Sequence, residues 1–384
     1  MSLTQSNNPR RYDIDALRVL AFLCLILYHV SMLYVDGWGW HIKSDYQYQW
    51  VKFPMLLINQ WRMPLLFLVS GIASSFLLRK IGPAAFINSR SDRLLIPFLA
   101  GVILIVPPQA YLQAIANGTI EQHFPGMNYL KFLSHYFTFQ GWPAGSFDGS
   151  EFGFTWNHLW FIPYLFLYTI VLIPVSWVLR KSKIELAIRQ AGAVTLMLAP
   201  VIIQIIWQLS LNDEKPISHA LYDDGYAHAM FGSYFLIGYL LSDHVALWRV
   251  IVRLRWITLL SAVACYLTLL LFWFVIDTDG WLDHLEGVIA TFNQWLWLLC
   301  VMGWAARLLN QPSSLLTYAN NRIYPWYILH QTITIIVAFW LAKYSLGGLV
   351  EFGLVTLTTF AGCYILTEAV IARSNLLKIV FGMK

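Results

Sequence analysis

The sequence predicts an all-α polytopic membrane protein of about ten transmembrane helices, both termini cytoplasmic. Three observations carry that prediction. The 384 residues are 58% hydrophobic and 12% charged, whereas soluble domains carry roughly 25% charged residues, so a water-soluble fold is excluded. The apolar stretches reach about 20 residues, the length of a spanning helix and about twice that of a barrel strand. Basic residues collect at alternate ends of these stretches. An open segment crosses lipid only by hydrogen-bonding within itself, so each stretch reads as a helix.

In order, the spans run from Ala16 to Tyr34, Phe53 to Leu78, Leu94 to Ile115, Asn157 to Leu179 and Ala191 to Leu211. The second half adds Ala227 to Ser242, Trp256 to Ile276, Gly287 to Ala306, Ile323 to Ala342 and Leu349 to Ala372. The sixth is the shortest and barely reaches spanning length. With both ends inside, inner segments hold most of the 25 basic residues, including Arg79, Lys80, Arg180, Lys181, Lys183, Arg189 and Lys384. Only Lys43, Lys52, Arg62, Lys131, Lys215 and Lys343 fall outside or toward the outer half. That bias satisfies the positive-inside rule, and adding or removing one span scrambles it. The net charge of +5 therefore reports topology rather than nucleic-acid binding.

Cys24, Cys265, Cys300 and Cys363 all fall within spans without a close pair, so they read as small core residues, and neither a disulfide framework nor a metal site is expected. No cleavable leader is expected either; the first span reads as a retained signal anchor. Residues 1–384 read as one membrane domain, with no repeat and no linker. The longest outer segment, Ala116 to Trp156, contains an aromatic stretch from Tyr129 to Phe139 that suits a short amphipathic helix at the interface. Asp213, Glu214, Asp223 and Asp224 before the sixth span read as a solvated acidic loop, as do Asp277, Asp279, Asp283 and Glu286 before the eighth.

The embedded polar residues point to chemistry. Arg18 and His29 lie eleven positions apart in the first span, about three helical turns, hence on one face and roughly 16 Å apart along the axis. Charged and ionisable groups in hydrocarbon default to a functional role with a partner; snorkelling of Arg18 and a structural hydrogen bond to His29 are the alternative. Arg90 and Arg93 precede the third span, three apart, and make a fork for phosphate oxygens or ordinary inner-face charge. Arg62 in the second span reaches a depth similar to His29, where it suits an oxyanion or a carboxylate. Ser70 and Gly71 suit a site or close packing alike. His41, His158, His330 and Glu368 complete a set that suggests a polar interior reached from both faces.

At these residues the chain resembles the acyltransferase 3 family of integral membrane acyltransferases. Arg18 and His29 match its R-x10-H signature, Arg90 and Arg93 its cytoplasmic RxxR, and Phe67, Ser70 and Gly71 its FxxSG. A subgroup shares Asp15-x-x-Arg18, Trp40-His41-Ile42-x-Ser44, Arg62-Met63 and the element His158 to Phe161. Met63 stands where the broader family carries glycine, and the segment Ala116 to Trp156 is enlarged; both bear on the acceptor.

The resemblance implies an acyl-CoA donor from the cytoplasm and a glycan hydroxyl as acceptor, in the inner membrane of a bacterium, with no tightly bound cofactor and no metal. It implies His29 as general base or nucleophile with Arg18 and Arg62 as catalytic partners. Arg90, Arg93, Ser70, His41, His158 and His330 would bind the substrates. Succinyl is the acyl group the subgroup implies, acetyl the alternative, and Arg62 would then hold the succinyl carboxylate. Partners are the acyl-CoA, the glycan and the lipid bilayer, with a homo-oligomer left open and no nucleic acid. A glycan exporter and an envelope scaffold are the competing readings. The first lacks repeat symmetry, and the second leaves the RxxR and the Arg18/His29 face without a role.

Overall fold

A computed structural model describes residues 10–182, 184–212, 217–276 and 280–383. Of the charged residues singled out above, Lys183, Asp213, Glu214, Lys215, Asp277, Asp279 and Lys384 lie outside the described residues, as does the side chain of Arg189. Each expected span is a helix. We number these α1 (Tyr12–Ser31), α2 (Lys52–Ile81), α3 (Pro83–Ala116), α4 (Phe161–Lys181) and α5 (Ala193–Leu211). They continue as α6 (Gly225–Leu241), α7 (Val245–Phe274), α8 (Trp281–Leu308), α9 (Ser314–Leu341) and α10 (Gly348–Ala369). Strands are absent among the described residues.

Eight described helices are long and apolar enough to cross a membrane; α6 and α9 are not among them. The first is only 17 residues long, and α9 carries Asn320, Asn321, Arg322, His330 and Gln331. α6 packs along α2, and the middle of α9 packs between α1 and α10, while Leu315 and Trp340 toward the ends of α9 are exposed. Polar groups on such a helix face neighbours rather than acyl chains, so the apolar pattern relaxes where the fold is most buried. His330, Gln331, Thr332 and Thr334 on α9 are all buried.

Two glycines set the contact between α2 and α6. A Cβ on Gly71 would meet the Phe235 carbonyl oxygen at 1.9 Å, and one on Gly238 would meet that of Leu68 at 2.0 Å. Gly71 is thus a packing residue, as small residues are wherever helix backbones touch, while its neighbour Ser70 faces a cavity. Pro64 lacks an N–H and cannot bond the carbonyl of Gln60 one turn back; Gln294 Nε2 of α8 donates to that oxygen instead (2.9 Å). In α3, π-helical turns at Ser91–Leu95 and Gly101–Ile105 contain Arg93 and Ile103, the residues four before Pro97 and Pro107. The proline rings crowd those carbonyls, and the helix widens locally.

Arg18 on α1 and Gly382 near the other chain end line one cavity, so both described chain ends lie at the same end of the bundle, here the basic end. Ion pairs between Arg11 and Asp13, Arg79 and Asp243, and Arg322 and Glu368 gather there. The opposite, loop end carries the segment between α3 and α4. Its helix Tyr129–Tyr136 begins at Asn128, whose side chain accepts from Lys131 N (3.0 Å). Phe132 and Tyr136 turn into a local core with Trp142 and Phe147, so the expected interfacial helix gives part of its aromatic face to protein. The four cysteines are unpaired, as the sequence predicts.

Candidate active site

At the basic end, Arg18, Ser70, Arg90 and Arg93 line one cavity of about 120 Å³ with Asn320 and Tyr324. Arg18 Nη2 donates to Asp15 Oδ1 (3.2 Å) and to Asn320 Oδ1, which orients the guanidinium from α1 and α9 together. Arg90 Nη2 donates to Ser74 Oγ (3.1 Å), while its Nε is buried without a partner among the described residues. Three arginines around one small cavity, with part of their donor capacity unused, form a receptor for phosphate-like anions. Leu66, Phe22 and Phe161 also line it, and Phe22 packs on Tyr327 with ring centroids 5.0 Å apart.

Toward the loop end stands His29. Its Nδ1 is 2.8 Å from His330 Nε2, and the ring planes differ by 3° with centroids 5.1 Å apart. That spacing requires both nitrogens to lie near the line between centroids, so the rings meet edge to edge with the hydrogen bond in their common plane. The tautomers follow from the acceptors. His330 Nδ1 is 2.7 Å from the Tyr327 carbonyl oxygen and must donate to it, so in the neutral ring Nε2 accepts. His29 Nδ1 is then the donor, which leaves His29 Nε2 with a lone pair and no partner among the described residues. His158 Nε2 donates to the Ile328 carbonyl (3.1 Å), and its Nδ1 is buried without a partner among the described residues.

His29 lies where two lobes of a large cavity meet. One, of about 510 Å³, is also lined by Arg62, Asn59, Gln60, Tyr226 and Gln294. The other, of about 730 Å³, is lined by His41, His158, Gln331, Asp148 and Glu151. Trp40, Trp160 and His219 border both. Arg62 is 6% exposed; its guanidinium sits 3.7 Å from the centre of the Tyr28 ring, its Nη2 donates to Asn59 Oδ1 (3.4 Å), and its Nε and Nη1 have no partner among the described residues. A buried cation with two unused donors beside an open lobe is arranged to receive an anion. In the larger lobe His41 Nδ1 donates to Gln113 Oε1 (2.7 Å), and Gln331 Nε2 donates to His41 Nε2 (2.8 Å) and to Gln109 Oε1 (3.1 Å).

The structure thus gathers Arg18, Arg90, Arg93 and Ser70 at one cavity, and His29, Arg62, His41 and His158 at another. His330 lines neither and supports His29 from behind. Glu368 lies apart, held by Arg322 Nε (2.9 Å) and Tyr318 Oη (2.7 Å). The two cavities share no lining residue.

His219 was not apparent from sequence. It lies in the loop before α6 with φ +59°, its N–H bonded to Asp224 Oδ2 (3.0 Å), and its ring stacks on Trp160 at 4.0 Å. Burial pushes its imidazole down to about 4, against the pull of the Asp224 carboxylate. Left-handed backbone at a histidine was the signal, and it is visible only in three dimensions.

A family model described as an acyltransferase domain matches residues 11–368. The chain belongs to the acyltransferase 3 family. It is similar to glucans biosynthesis protein C of Salmonella paratyphi B, of Salmonella dublin and of Salmonella enteritidis, each 25% identical over 391 residues that cover 98% of this chain and 95% of the relative. No solved structure matches. Membership, with the apolar helices, makes this a multi-pass membrane acyltransferase. The residues that carry the family's spacing, Arg18 with His29 and Arg90 with Arg93, all face cavities.

Proposed function

We propose that this protein moves a succinyl group from cytoplasmic succinyl-CoA to a hydroxyl of a neutral glucan on the far side of a bacterial inner membrane. The observation that carries this reading is His29: an imidazole with its Nδ1 proton committed to His330 and its Nε2 lone pair free, where a lobe holding an arginine with two unused donors meets a lobe open to the loop end. Nε2 takes the proton from the sugar hydroxyl as its oxygen attacks the thioester carbonyl. The tetrahedral intermediate collapses, the C–S bond breaks, and the thiolate recovers the proton from His29 as CoA departs. An acyl-imidazole route uses the same nitrogen as nucleophile. The unused Arg62 donors support a dicarboxylic acyl group over acetyl, and Arg18, Arg90 and Arg93 would hold the CoA phosphates.

On this reading a pantetheine arm entering at the basic end must displace Phe22, which with Leu66 and Phe161 lines that cavity toward the bundle interior. The name shared by the relatives supports a glucan acceptor. The test is direct: protein in nanodiscs is supplied with succinyl-CoA and a neutral gluco-oligosaccharide, and products are weighed by mass spectrometry. A succinyl adduct formed by wild type and lost in His29→Ala is expected. Equal adduct from both proteins removes His29 from the chemistry.

A further inference from the structure

The two lobes that meet at His29 differ in charge. The lobe with Arg62 is lined by no carboxylate, and the lobe with Asp148 and Glu151 is lined by no lysine or arginine, among the described residues. We propose that the carboxylate lobe is the acceptor subsite and that Asp148 and Glu151 restrict it to uncharged sugar, rejecting a glycan that already bears an anionic substituent close to the reacting residue. This rests on the reading above, in which His29 activates the acceptor hydroxyl.

The lobe is built for a polyol. Aromatic faces of Trp156 and Tyr222, the latter 77% exposed, suit the C–H faces of a pyranose. His158, 6% exposed, lines the lobe, and its buried Nδ1 has no partner among the described residues, so a small shift of the ring would offer a sugar hydroxyl an acceptor. The walls are set before any ligand arrives. Trp156 Nε1 donates to the His219 carbonyl (3.1 Å), tying the loop before α4 to the loop before α6. Asp148 accepts from Gln113 Nε2 (3.1 Å) and lies 3.4 Å from His41 Nδ1, so its carboxylate is held in place. Glu151 has no side-chain partner among the described residues and remains exposed. The Asp148 side chain is 64% exposed and Glu151 is exposed too, so the two carboxylates repel a second anion only at close range, and free ions screen that repulsion.

A succinylated sugar is itself an anion, so the device would limit substitution at neighbouring positions and speed product departure. The experiment compares kcat/KM for a neutral gluco-oligosaccharide and for the same oligosaccharide carrying one succinyl half-ester, with succinyl-CoA as donor. Wild type should prefer the neutral acceptor by about tenfold at low salt, and less at high salt. Asp148→Asn with Glu151→Gln should bring the two acceptors within about threefold of each other. Glu151→Gln alone, at an exposed position without a side-chain partner among the described residues, should shift the ratio part of the way. An unchanged ratio in both variants, or no preference in wild type, overturns the proposal alone. Transfer to neither acceptor by wild type overturns the glucan reading and the proposal with it.

Discussion

His330→Ala tests how His29 is positioned. The substitution removes the acceptor 2.8 Å from His29 Nδ1 and leaves the buried Tyr327 carbonyl without the imidazole that now bonds it. As Nε2 takes a proton in the transition state, His29 becomes cationic, and its Nδ1–H bond to His330 becomes charge-assisted. Hydrogen bonds to charged groups contribute about 1.5–3 kcal/mol, which converts to a loss of about 10- to 150-fold in kcat. KM for either substrate should move little, because His330 lines neither lobe. The assay is initial-rate succinyl transfer by mass spectrometry, with thermal unfolding in detergent to score folding. His330→Gln is the discriminating control: its amide oxygen can accept from His29 while its NH₂ donates to Tyr327. It should recover most of the lost rate. A His330→Ala enzyme within twofold of wild type, or a glutamine variant no better than alanine, refutes the positioning argument.

Four further outcomes are expected. Gly71→Ala and Gly238→Ala each place a Cβ about 2 Å from a backbone carbonyl, which no rotamer relieves, and should destabilise by at least about 1–3 kcal/mol in chemical unfolding. Gly353→Ala, with nothing within 4 Å, should leave stability unchanged or raise it. Arg62→Ala should abolish any preference for succinyl-CoA over acetyl-CoA in a competition assay; a retained preference places the carboxylate elsewhere. His219, held at about 4 by burial, lies below its ordinary value of about 6.5. Its contribution to stability is therefore complete above pH 6.5 and lost as pH falls toward 4. The melting temperature should decline across that window, and His219→Gln should flatten the decline.

Much of the site was legible because membrane sequences penalise polar groups, so each embedded one stands out. Arg18, Arg90, Arg93 and Ser70 were marked by spacing and side, and they converge on one cavity. Arg62 was placed beside His29 by counting depth on antiparallel helices, and the two share a lobe. The partner of His29 was hidden, because His330 lies 301 residues away and only packing of α9 on α1 brings it near. His219 was hidden for another reason: a loop has no periodicity, and its orientation comes from Asp224, Tyr164 and Trp156. In the fold, the π turns of α3 went unread, because the widening depends on where the Pro97 and Pro107 rings crowd carbonyls one turn back. The reading of α9 as an ordinary span held for its helix but not for its apolarity, since its polar residues His330, Gln331, Thr332 and Thr334 are buried against protein and escape the demand that lipid makes.

The separation of the arginine-lined cavity from the His29 cavity has an electrical consequence. On the proposed reading, each turnover with a succinyl donor exports one net negative charge, because the free carboxylate changes sides while the hydroxyl proton returns with the thiol. An acetyl donor exports none. A potential negative inside would favour the first exchange by about 2.3 kcal/mol per 100 mV and leave the second untouched, so the energised bilayer would pull succinyl transfer, and not acetyl transfer, toward completion.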